Sequence, residues 1–224
     1  FPVSSGSGFS ISNDGHIITN HHVVEYCDNV SIKNQNRKTN VDIEAVDKLN
    51  DLALLKIENF NISPLKISNK NPKLLENIYA AGFPFGEEIS SSIKATKGIV
   101  SSLAGIDDNY SMFQIDAALQ PGNSGGPVVN QNGTVLGVAV AKLDSKKMQK
   151  YFGTVPENTN FAVKVSTLRN FLEVHNVNYI LADEKSLPQT GIANFIEEST
   201  VFVSCWMSKK TIDKIKGKKV LFKN

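Results

Sequence analysis

Two cysteines, three methionines and one tryptophan are all that the 224 residues contain of these types. Two cysteines cannot form a zinc site by themselves, and no Cys-x-x-Cys spacing occurs, so no metal is expected. In an exported protein an even count suggests a disulfide, whereas two buried free thiols are the plainer alternative. No apolar run reaches the length of a transmembrane helix. The chain opens at Phe1-Pro2-Val3 with neither an initiator methionine nor a basic-then-apolar leader. A removed signal peptide and a trimmed chain both fit that start. Aromatic residues are thinly spread and not interleaved with basic ones, which argues against nucleic acid as a partner.

What is present is an ordinary globular composition with a net charge of +2. The charge is uneven, because residues 208–224 hold seven lysines and one aspartate, leaving the remainder at −4. A basic end of this kind can contact an anionic membrane, although a solvated helix face is the plainer reading.

Short β-prone runs separated by turn signals dominate residues 6–165. "GFSIS", the turn "NDG" and "HIITN" read as a hairpin. "NVSIK", "VDIEAV", "DLALLKI" and "NIYAAGF" follow, then "ATKGIVSSL", "MFQIDAAL", "GPVVN", "GTVLGVAVA" and "NFAVKV". This spacing predicts an all-β barrel or sandwich. The Pro/Gly-rich "GFPFGEE" at 82–88 is a plausible junction between two β units. The spacing predicts a helix over 165–177, with Leu168, Phe171 and Leu172 on one face and Ser166 or Thr167 as its cap. Beyond it come mixed turn and weak helix, an apolar "TVFVSCWM", and a short helix capped by Ser208 and ending at Gly217.

One segment stands apart. "QPGNSGGPVV", residues 120–129, packs three glycines and two prolines around Ser124. Such clusters are often only surface turns, but a rigid turn with a serine at its tip also suits a nucleophile. A hydroxyl needs a general base held by a third group. Four histidines are available. His16 follows a turn and His175 ends a helix, whereas His21 and His22 stand just after a strand, and spacing does not choose between them. Asp51, directly before Leu52-Ala53-Leu54-Leu55, is a candidate orienting acid, with Asp47 as its competitor.

Taken together, "GSGFSISNDGHIITNHHVV", "NDLALLKI", "AAGFPFGEEISSSIKATKGIVSSL", "FQIDAALQPGNSGGPVVNQNGTVLGVAV" and "NFAVKVSTLRNFL" resemble the HtrA/Deg branch of the chymotrypsin-like serine proteases. The resemblance covers residues 5 to about 173. It implies two six-stranded antiparallel β-barrels of the trypsin-like fold with a closing helix and a short extra tail. The divisions expected are 1–88 for the first barrel, 89–178 for the second with its helix, and 179–224 for a tail docking on the protease.

The resemblance also implies site residues. His22 would be the general base, Asp51 the acid and Ser124 the nucleophile, in chymotrypsin-like rather than subtilisin-like order. The turn Gly122-Asn123-Ser124 would form the oxyanion hole. Ala118 would floor the primary pocket and Val138-Ala139-Val140 would wall it, favouring small or medium aliphatic residues before the cut. Asn123 replaces the aspartate that zymogen enzymes pair with a freed amine, so loop ordering is expected to govern activity, with 142–160 as gate or plain connector.

About 50 residues follow the closing helix, too few for the PDZ domain common in this branch. A Cys27–Cys205 disulfide would tie the tail to the catalytic face. Neither cofactor nor metal is required; polypeptides are the expected partners, and monomer and homotrimer both remain open. The resemblance implies an exported endopeptidase, periplasmic or extracellular. A non-catalytic binder or holdase and a dedicated single-substrate processing protease are the alternatives.

Overall fold

The computed structural model describes residues 1–58, 62–84, 92–141, 158–182 and 189–221. The first strands are β1 (Pro2–Ser10), β2 (His16–Thr19), β3 (Asn29–Asn34), β4 (Arg37–Asp47) and β5 (Leu52–Lys56). Those that follow are β6 (Asn77–Gly82), β7 (Lys94–Ser102), β8 (Met112–Ile115), β9 (Pro127–Asn130), β10 (Val135–Val140), β11 (Asn160–Lys164) and β12 (Thr200–Trp206). The helices are α1 (His21–Val24), α2 (Val165–Val174), α3 (Gln189–Ser199) and α4 (Lys209–Leu221).

The strands close into two six-stranded antiparallel barrels, ordered β1-β12-β3-β4-β5-β2 and β10-β11-β8-β7-β6-β9. Alternation explains how each strand serves two cores. In β5, Ala53 and Leu55 point into the first barrel, while Leu52 and Leu54 join the apolar layer between the barrels. In β10, Leu136 and Ala139 fill the second barrel and Val135 and Val138 the shared layer, a phase change accommodated by a register shift between Val135 and Gly137. The amphipathic face of α2, with Leu168, Phe171 and Leu172, seals that layer.

Three expectations are corrected here. The boundary does not fall at 88, because β6, which ends at Gly82, already pairs with β7 and β9 of the second barrel. The 82–88 segment therefore follows a strand of the second barrel instead of joining the two, and residues 85–91 lie outside the described ones. Nor does 179–224 simply dock: β12 is inserted between β1 and β3 and completes the first barrel. Its Val201 and Val203 are fully buried in that core.

The helix ends also differ. The N-cap of α2 is Lys164 with no side-chain cap; Thr167 Oγ1 instead donates to the Ser111 carbonyl, 3.3 Å away. Ser208 does cap α4, its Oγ accepting the Thr211 N–H at 3.2 Å, but the helix runs on through Gly217. Glycine costs a helix interior only about 1 kcal/mol, which is too little to force an end.

Candidate active site

The first barrel supplies an imidazole and a carboxylate. His22 lies in the single turn α1, entered from Asn20 in extended conformation and clamped by buried Val23 and Val24. Asp51 has φ +55°, a left-handed backbone unusual for a residue with a Cβ. Two donors fix its carbonyl: the His21 N–H at 3.2 Å and the Asn20 side-chain amide at 2.8 Å. Its carboxylate then grips His22 twice. Oδ1 accepts the His22 backbone N–H at 2.8 Å, and Oδ2 lies 2.6 Å from Nδ1. A carboxylate only accepts, so Nδ1 carries a proton and, in the neutral ring, Nε2 holds the lone pair.

The candidates left open by spacing have different partners in the structure. His21 contributes its backbone amide to Asp51, and His22 its ring. Asp47 is occupied as a turn residue, accepting the N–H groups of Leu49 and Asn50, each at 3.0 Å. His16 belongs to a separate cluster, with Ser12 Oγ 2.8 Å from Nδ1 and Glu44 3.3 Å from Nε2. Burial first, then the Lys56 ammonium, lowers its pKa from 6.5, against the opposing pull of Glu44 and Asp14. His175 caps α2 at its C-terminal end and meets the Phe171 ring edge-on at 4.9 Å.

The second barrel supplies Ser124, which is 5% exposed. The turn before it bends at Gly122, φ +101°, and leaves it through Gly125, φ +85°. A Cβ on Gly125 would strike Ser7 O and Thr19 Oγ1 and come within 2.9 Å of Asn20 N, so only glycine lets this chain pass so close to the residues before His22. Likewise, a Cβ on Gly6 would lie 2.7 Å from Val23 and 2.9 Å from the Ser124 carbonyl. These close approaches bring the serine turn and the histidine turn to one seam.

Within the turn, the Asn123 N–H donates to Gln120 O at 3.0 Å and the Gly125 N–H to Ala139 O at 2.9 Å. The Gly126 N–H donates to Asn123 O at 3.0 Å. Among the described residues no acceptor takes the N–H of Gly122 or of Ser124. The Ser124 Oγ accepts the Ala141 N–H at 3.1 Å.

The four pocket candidates divide. Ala118 is exposed and Val140 partly so, whereas Val138 and Ala139 are fully buried in the shared layer and the second core. Of the four, only Ala118 and Val140 keep exposed surface. Residues 142–157 of the expected gate lie outside the described ones.

Cys27 and Cys205 form a disulfide with their Cα atoms 5.4 Å apart, joining the stretch after α1 to β12. Sequence reasoning missed Ser7, Thr19 and Asn20, all fully buried polar residues at the seam. They stand in "GSG" and "TN", inside the recognised "GSGFSISNDGHIITNHHVV" run, but nothing in those letters marks what their side chains touch.

The family model described as a trypsin-like peptidase domain matches residues 6–138. The chain belongs to that family. Its relatives in this trypsin-like peptidase family include DegP-like serine endoproteases. A probable periplasmic serine endoprotease, DegP-like, from Pseudomonas putida (strain W619) is 40% identical over 140 residues, 60% of this chain and 28% of that protein. An uncharacterized protein, y4bJ, from Sinorhizobium fredii is 33% identical over 204 residues, 90% of this chain and 32% of that protein. The solved serine endoprotease of Yersinia pestis superposes with a TM-score of 0.63 at 29% identity, over 75% of this chain and 56% of that one. The chain thus spans about a third or less of the length of the curated relatives it matches.

Proposed function

We propose that this chain is a serine endopeptidase working through His22, Asp51 and Ser124. The observation that carries the reading is the double grip of Asp51 on His22, which leaves Nε2 as a base at the seam where the serine turn arrives. In the reaction, Ser124 Oγ first rotates away from the Ala141 N–H. Nε2 takes its proton as Oγ attacks a peptide carbonyl, and Asp51 stabilises the imidazolium. The N–H groups of Gly122 and Ser124, which no acceptor takes among the described residues, suit the developing oxyanion, and one such donor is typically worth about 10²–10³ in rate. Nε2–H then protonates the leaving amine, and water, activated by the same nitrogen, releases the acyl group from Ser124.

The substrates we propose are unfolded or extracytoplasmic polypeptides, cut after small or medium aliphatic residues. Exposed Ala118 and half-exposed Val140 support a shallow apolar pocket. The disulfide supports an oxidising compartment, periplasmic or extracellular. The test is hydrolysis of labelled, unfolded casein by the protein and by Ser124→Ala, with a serine-directed phosphonate in parallel. Turnover and labelling that both vanish in the variant support the reading. Turnover that survives Ser124→Ala removes it, as does the absence of both signals in the parent. A peptide panel in which arginine before the cut wins removes the aliphatic preference alone.

A further inference from the structure

Ser7 lies between two of the glycines that open the recognised "GSGF" run, and it is completely buried. Every polar group it owns is committed at the seam. Its hydroxyl donates to the Gly122 carbonyl at 2.7 Å and accepts the Phe83 N–H at 2.9 Å. Its backbone N–H donates to the Ser124 carbonyl at 2.8 Å. Its own carbonyl accepts the Thr19 hydroxyl at 2.7 Å. From these contacts we infer that Ser7 is a positioning residue for the oxyanion turn, an inference that rests on the peptidase reading above.

A carbonyl that is held fixes the plane it shares with the next N–H. The Gly122 carbonyl fixes the plane that carries the Asn123 N–H, and the Ser124 carbonyl fixes the plane that carries the Gly125 N–H. The Ser124 N–H lies in the one plane between these two, so it is constrained from both sides. The Gly122 N–H lies in the plane just before the first anchor. Gly122 itself, at φ +101°, has no Cβ to confine it and can move to other backbone basins at little cost. The Ser7 hydroxyl supplies the restraint that this glycine lacks. Because the same oxygen also holds Phe83, directly after β6, the turn is tied to the second barrel's own edge as well as to β1.

A merely structural hydroxyl would affect folding but not the chemistry of molecules that fold. Ser10 provides the comparison: it is on the same strand, 1% exposed, and its hydroxyl donates to the Ile62 carbonyl at 3.1 Å, away from the serine turn. Three variants, Ser7→Ala, Ser7→Cys and Ser10→Ala, are compared with the parent for kcat, KM, phosphonate-labelling rate and Tm. In Ser7→Ala, kcat is expected to fall about 10- to 100-fold, less than for outright loss of an oxyanion donor. KM should stay within about threefold and labelling should slow in step with kcat. Ser7→Cys, with a weaker donor of similar shape, should fall between Ser7→Ala and the parent. Ser10→Ala should keep the parental kcat.

Equal kcat in Ser7→Ala and Ser10→Ala overturns the role of Ser7, as does a loss fully matched by the fraction unfolded. Should Ser7→Ala fail to fold, folded Ser7→Cys decides: a lowered kcat supports the role and a parental kcat overturns it. A parent that neither turns over nor labels removes the peptidase reading itself, and with it the role of Ser7.

Discussion

Cys205, on the strand that closes the first barrel, is bonded to Cys27, which lies five residues after His22. The bond spans 178 residues of sequence and fastens β12 beside the turn that carries the imidazole. Cross-links closing long loops typically contribute about 2–5 kcal/mol. Reduction, or the double variant Cys27→Ser/Cys205→Ser, should therefore lower the unfolding free energy by an amount of that order. Urea titrations of the oxidised and reduced protein measure it directly. Coincident midpoints would mean that the bond constrains nothing that the barrel does not already hold.

Without β12, both β1 and β3 lose a partner along most of their length, and Val201 and Val203 leave the core. A chain ending at residue 182 should therefore be insoluble or unfolded. The reciprocal experiment is a permuted chain. Phe1 and Met207 exchange hydrogen bonds of 2.8 and 2.9 Å, so the two strands lie side by side as in a hairpin. A permutant beginning at residue 189, with a short turn from 208 to residue 1 and an end at 182, should fold, with a Tm near the parent's. A soluble, cooperatively melting 1–182 chain would contradict the assignment of β12 as a necessary strand.

These two cases also mark what the sequence could and could not disclose. The strands were readable because β-prone runs and the turn signals that bound them are local, as in Leu52-Ala53-Leu54-Leu55 after Asn50-Asp51. The α2 face was readable because Leu168, Phe171 and Leu172 repeat at helical spacing. "TVFVSCWM" was readable as β-prone, but not its place between β1 and β3, because that depends on pairing across more than 160 residues of chain. The boundary near 82–88 misled for a related reason: turn composition shows that the chain bends, not which barrel the preceding strand has joined. At the site, the choice of His22 over His21 and of Asp51 over Asp47 rests on motif resemblance, because spacing alone does not show that His22 and Asp51 are the pair in contact. Ser7 and Asn20 were not legible as anchors. A serine between glycines and an asparagine before a histidine carry no sign of what they touch.

His16 gives a pH effect of defined sign. Its pKa is lowered by burial and by Lys56, so the folded protein binds fewer protons there than the unfolded chain. Stability contributed by the neutral ring is complete above 6.5 and is lost as pH falls from there through the lowered folded value. His16→Gln removes that dependence. The urea midpoint of the parent should therefore drop more than the variant's between pH 7.5 and about pH 5.5. Parallel drops would show that His16 titrates alike in both states.

Asp51 offers the sharpest test of the catalytic geometry, because one atom can be changed. Asp51→Asn keeps the shape, and the carbonyl contacts to His21 and Asn20 come from the backbone and survive. The amide oxygen can still accept one N–H from His22. If the new NH₂ faces Nδ1, it donates to that nitrogen, and the ring proton moves to Nε2. The base would then be blocked in its resting form. A wrong tautomer at a triad histidine costs on the order of 10⁴ in kcat. Asp51→Asn should show a loss of that order, with KM nearly unchanged and Tm within a few degrees of the parent. Asn20→Ala, which frees the strained Asp51 backbone without touching the carboxylate, should lose less. If Asn20→Ala costs as much as Asp51→Asn, then holding the left-handed turn, rather than the charge on Asp51, is what His22 depends on.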